Sequence, residues 1–166
     1  MFMKIQPYFD KLKSSKEYNN FISKNPNAYL SSGFFVLDFQ TKKNMHQIDY
    51  YVPGNKKIQT FILDSKEVIS KESETLNKIV PKKIDQNISL DLDVLKGLVE
   101  DEMKNHTITT KLQKIIAIIQ NVEGKLVWNL NCITTDMGII KVHISDRDHS
   151  ILKFDKINLY DVMKKE

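Results

Sequence analysis

Four residues near the end of one apolar stretch form the densest set of possible metal ligands in the chain: His143, Asp146, Asp148 and His149. Imidazole nitrogens and carboxylate oxygens together can hold zinc or another divalent ion. The same residue types also belong at a strand end followed by a turn, where Asp and Ser bond the local backbone. Neither a Glu-x-x-His pair nor a cysteine cluster completes the set, so no metal ligand is assigned.

Cys132 is the lone cysteine. With His143 or His46 as base it would have the types for nucleophilic catalysis. Its spacing argues otherwise. Trp128, Leu130 and Cys132 recur at every second position, which puts them on one face of a strand, and free cysteine is among the most buried residue types. Trp128 has Leu126 and Leu130 as same-face neighbours, so it is expected in the core.

Two acidic groups invite an acid–base or cation-binding reading. Asp91 and Asp93 sit at a helix start, where the macrodipole favours acids. Glu100, Asp101 and Glu102 fall on a helix's polar side. Tyr50 and Tyr51, near Lys56 and Lys57, form the best aromatic–basic group for stacking single-stranded nucleic acid. Adjacent strand residues point to opposite faces, so one surface can use only one of the two rings. Nothing here reaches a catalytic or cofactor signature. No cofactor is expected, and the binding residues are left unassigned.

The elements that would position these groups are read from periodicity. Tyr8, Phe9, Leu12, Tyr18, Phe21 and Ile22 predict a helix over 7–24, opened by Pro7 and stopped by Asn25-Pro26. A strand over 28–40 follows, in which Gly33 predicts a bulge or bend. Strands over 45–52 and 57–63 flank Pro53-Gly54 as a hairpin. The stretch 64–86, rich in Lys, Glu and Ser, reads as a partly helical connector. A second helix spans 87–105 on Leu92, Leu95, Leu98, Val99 and Met103, capped by Ser89 or Asp91. Then comes the most distinctive stretch: three β-branched runs within 111–145, separated by turns at Asn121–Gly124 and Thr135–Gly138, an antiparallel meander. A short strand over 151–154 and an amphipathic tail over 158–165 complete the chain.

Both halves thus read helix, then three strands. In this register Phe61-Ile-Leu-Asp64 lies over His143-Ile-Ser-Asp146. The expected fold is α+β, two tandem helix-plus-three-stranded antiparallel meander units of PepSY-like or cystatin-like type, with helices packed on the sheet. The expected divisions are 1–64 for the first unit, 65–87 for the connector, 88–156 for the second unit and 157–166 for the tail. Trp128 in a middle strand, then Gly138-Ile-Ile-Lys-Val-His-Ile-Ser-Asp146 and Asp148-His-Ser-Ile-Leu152, resembles the ending of the PepSY family. The Asp-x-x-Thr-Gly turn typical of that family is replaced by Asp146-Arg-Asp-His-Ser150. The resemblance covers 88–154 directly and 8–64 through the repeat, and it implies a non-enzymatic module, a peptidase inhibitor or protein-binding domain.

Composition bounds the function. The chain has 166 residues and a formal net charge of +4, with Arg147 as its single arginine. Arginine is the usual residue for bidentate phosphate and base contacts, so nucleic-acid reading is disfavoured. One cysteine, no signal-like N-terminus and no apolar run near 20 residues lead to an expected cytoplasmic location without a membrane span. The leading expectation is a non-enzymatic protein- or peptide-binding module of unknown partner and oligomeric state. The alternatives are a small-ligand or lipid pocket and weak nucleic-acid binding.

Overall fold

The computed structural model describes residues 4–75, 79–85 and 87–158. The first helical stretch is broken into α1 (Gln6–Lys13) and α2 (Lys16–Lys24). The break has a local cause. Ser15 takes an extended conformation, and its side chain accepts a hydrogen bond from Tyr18 N, which caps α2. Pro7 lies in the first turn of α1 as its fixed φ favours.

Four strands follow: β1 (Tyr29–Asp38), β2 (Met45–Val52), β3 (Lys57–Ile62) and β4 (Ile69–Glu74). Then come α3 (Leu92–Asn105) and four more: β5 (Leu112–Val122), β6 (Lys125–Thr134), β7 (Gly138–Ser145) and β8 (Ile151–Asn158). They form one antiparallel sheet of eight strands in the order β4-β3-β2-β1-β5-β6-β7-β8.

The expected pair of helix-plus-three-strand units is therefore wrong. β1 pairs with β5 from Gly33↔Ile119 to Asp38↔Lys114, so the two halves share one continuous sheet. The stretch 65–87, expected as a partly helical connector, contains β4. Its sequence, Ile-Ser-Lys-Glu-Ser-Glu, shows no apolar alternation because an outermost strand has little to bury. Charges on an edge strand also discourage pairing with other chains. Likewise β8 extends past the expected 151–154 to Asn158. The amphipathic tail lies outside the described residues apart from Asn158.

The hairpin β2–β3 and the meander β5–β6–β7 form as expected. Glu123 and Gly124 both take positive φ between β5 and β6, the pattern of a two-residue hairpin turn matching strand twist. Gly33 has a different role from the one predicted. The bulge in β1 falls between Leu30 and Ser32. At Gly33 a Cβ would lie 2.8 Å from the Phe35 ring and 3.0 Å from Ile119, so the bare backbone makes room for that ring.

All three helices pack on one face. Tyr18 and Phe21 of α2 meet Tyr50 and Phe61 edge-on, and Tyr8 of α1 stacks on His46. Leu92, Leu95, Val99 and Met103 of α3 join the same core as Phe35, Ile48, Ile115, Trp128, Leu130, Cys132 and Val142. His106, just past α3, stacks on Phe154 of β8. Among the described residues no helix is long and apolar enough to cross a membrane.

Candidate functional site: the uncovered face of the sheet

Strand alternation sends every second residue to the face that carries no described helix. Among the rows of opposed residues that cross this face, two run through its centre. In one, Val36 opposes Ile116, then come Asn131, Lys141 and Asp155. In the other, Phe34 opposes Ile118, then come Asn129, His143 and Lys153. On the other side of β1, Met45 opposes Val36 and Gln47 opposes Phe34. The centre is thus an apolar cluster of Phe34, Val36, Ile116 and Ile118, each only partly buried. Beside it, the amides of Asn129 and Asn131 carry no hydrogen bond to another described residue. Beyond the amides the first row ends in Lys141 and Asp155, the second in His143 and Lys153.

The cluster is unusual for a sheet covered on one side. Outward positions of such a sheet are normally polar. Here β1 and β5 are apolar on both faces, as in strands sandwiched between two layers. The sequence carries that signal in Phe34-Phe-Val-Leu37 and Ile115-Ile-Ala-Ile-Ile119.

At one end of this face lies a groove of about 860 Å³ lined by Ser31, Ser32, Ile58, Val80, Gln120 and Val122, among others. The chain after β4 runs past the start of β1 there. Tyr29 Oη donates to Pro81 O, Ile84 N to Leu30 O and Asn121 Nδ2 to Lys83 O.

The residues singled out for chemistry are not brought together. Asp146 is 2% exposed, and its carboxylate is filled by donors: Leu90 N at 3.0 Å, Trp128 Nε1 at 2.9 Å and Ser89 N at 2.8 Å. It ties the approach to α3 onto β6, a role the spacing did not reveal. Asp148 accepts from Ser150 Oγ and Ser150 N, which with Ser145 hold its carboxyl at about 2. His149 Nε2 lies 3.4 Å from Ser89 Oγ, while His143 points away on the uncovered face. Among the described residues no group of three His, Cys, Asp or Glu is placed to hold a metal.

Cys132 is fully buried on the helix side, and burial pushes its thiol up to about 12. His143 is on the opposite face of the sheet. His46 shares the Cys132 face but sits three strands away, roughly 14 Å at ~4.8 Å per strand. Tyr50 and Tyr51 are both buried, and Lys57 pairs with Glu72 at 2.8 Å, so the aromatic–basic group does not form a surface. Asp91 stands at the cap position of α3 but makes no side-chain cap bond. It pairs with Lys4 at 3.2 Å instead and accepts from Ile5 N. Glu102 pairs with His106 at 3.1 Å, while Glu100 and Asp101 are exposed.

Sequence reasoning missed one polar pair. His46 Nδ1 lies 2.7 Å from Asp64 Oδ1, and His46 N donates to Asp64 Oδ2 at 2.7 Å. Tyr8 stacks on the imidazole at 3.7 Å between ring centres. Burial and the Asp64 charge both raise the Tyr8 hydroxyl's pKa. His46 Nε2 is buried with no hydrogen-bond partner among the described residues. An imidazole held by a carboxylate has the form of a general base, but general-base work needs a reachable substrate or nucleophile. At 2% exposure beneath Tyr8 the ring offers no access.

No family model matches this chain, and no curated protein matches it. The fold is similar to that of a "putative lipoprotein" from Clostridium difficile, at a TM-score of 0.56 and 12% identity over 85% of this chain and 90% of that one. At that identity the likeness is one of fold alone.

Proposed function

We propose that this chain is a non-enzymatic protein-binding module and that the uncovered sheet face is its docking surface. One observation carries the reading: Phe34, Val36, Ile116 and Ile118 stand on the outward side of the two central strands. Apolar residues at such positions are better buried by a partner than left in water. The two amides beside the cluster add unspent hydrogen-bonding capacity.

The test is a tagged pull-down from the host lysate, with and without nuclease, using the wild-type chain and Ile118→Glu side by side. The expected result is one protein in near-stoichiometric yield, insensitive to nuclease and lost with Ile118→Glu. A partner retained in full by a folded Ile118→Glu would place binding elsewhere and sink the proposal.

A further inference from the structure

Charge is divided unevenly between the halves of the sheet. Strands β5–β8 contain Lys114, Lys125, Lys141, Lys153 and Lys156 against a single acid, Asp155. Strands β1–β4 contain Lys57 and Lys71 against Asp38, Asp49, Glu72 and Glu74. On the uncovered face the basic half presents Lys114, Lys141 and Lys153. Lys114 is 3.7 Å from Asp38 and Lys153 is 3.5 Å from Asp155, whereas Lys141 is exposed and has no ion pair among the described residues.

We propose that the β5–β8 half of this face docks an acidic protein segment, with apolar side chains on the Phe34–Val36–Ile116–Ile118 cluster and carboxylates on Lys141 and Lys153. This rests on the binding reading above and adds the chemistry of the partner. The order of the rows sets that chemistry: apolar at the centre, then the amides of Asn129 and Asn131, then the Lys141 ammonium and the His143 imidazole, and on β8 the Lys153 ammonium beside Asp155. Amides there can bond a partner's backbone, and lysines attract carboxylates as point charges. Nucleic acid fits less well. The face presents no arginine fork, and its two central rows hold Phe34 and the smaller imidazole of His143 as their rings, on strands far apart, so a continuous stacking platform is lacking.

His143 reports on the site. It lies between Asn129 and Lys153 in its row. Burial, then the charge of Lys153, and to a lesser degree that of Lys141 hold its pKa below the ordinary value against the opposing pull of Asp155. An arriving carboxylate reverses part of that field.

The experiment selects peptides from a random displayed library on the immobilised full chain. Each enriched peptide is retested on Ile118→Glu and on the double variant Lys141→Glu/Lys153→Glu, whose exposed sites leave folding intact. The expected peptides carry Asp or Glu beside apolar residues, and they lose roughly ten-fold in affinity on the double variant. They also weaken as salt is raised, and they raise the His143 pKa followed by NMR. Enriched peptides that are neutral or basic, lost on Ile118→Glu yet indifferent to the double variant, overturn the acidic partner and leave the binding face standing. Indifference to Ile118→Glu, or no enrichment at all, overturns both. A single-stranded oligo(dT) that binds the wild type and is lost on the double variant gives the site to nucleic acid and also overturns the proposal.

Discussion

The two halves of the sheet solve the same problem with different residues. In each, an aromatic nitrogen on one strand bonds an aspartate that closes the next strand. His46 on β2 meets Asp64 after β3, and Trp128 on β6 meets Asp146 after β7, both 18 residues apart. Both rings flank Phe35, each with its centre 5.9 Å from that ring. The difference is in satisfaction. Asp146 is buried and takes three donors, and the Trp128 nitrogen has no second site to fill. The Asp64 side chain is 29% exposed, and the second nitrogen of His46 is buried without a partner among the described residues. A filled site holds structure firmly. An unfilled one adds less, because a buried unpaired nitrogen offsets part of what its neighbour's hydrogen bond contributes.

That contrast sets an order of effects. Asp146→Ala strands Trp128 Nε1 and Leu90 N in the core and should destabilise by about 3–5 kcal/mol, read by urea unfolding. Trp128→Phe keeps most of the ring but removes the donor, and about 1–2 kcal/mol should be lost. Asp64→Ala removes two acceptors from His46, but at a partly exposed position that water can enter, so about 1–2 kcal/mol should be lost; His46→Phe should fall within about 1 kcal/mol of the wild type in either direction, since it removes a good hydrogen bond and an unpaired nitrogen together. If Asp64→Ala matched Asp146→Ala, the comparison would fail. The smallest expected effect is on Cys132. With its thiol at about 12 it should not react with a thiol reagent at neutral pH until the chain unfolds. Rapid native-state labelling would show that this side of the core opens.

Much of this was legible in the sequence. The meander of β5–β7 follows from its β-branched runs and its Gly-containing turns, and Trp128 and Cys132 are buried as their parity requires. The register that aligns Asp64 with Asp146 also aligns His46 with Trp128, yet spacing alone does not show that each ring bonds its carboxylate. Edge strand β4 was hidden because alternation exists only where one face is buried. The joining of β1 to β5 is a contact between distant segments, and its trace is the apolar character of both strands on both faces. The break at Ser14-Ser15 was masked by an apolar stripe that runs on from α1 into α2. The uncovered face was the least legible part, since periodicity says which residues share a face but not which face the helices leave bare.

Neighbouring residues on β5 test that one-sidedness most directly. Ile119 is 1% exposed among the helices, whereas Ile118 lies on the other side of the strand beside Phe34. Threonine keeps the β-branch at either position, so urea unfolding of Ile118→Thr and Ile119→Thr isolates burial. The expected loss is under about 1 kcal/mol for Ile118→Thr and about 2–4 kcal/mol for Ile119→Thr. Equal, large losses at both would mean that the chain itself covers the outward face, and the docking surface proposed for it would not exist.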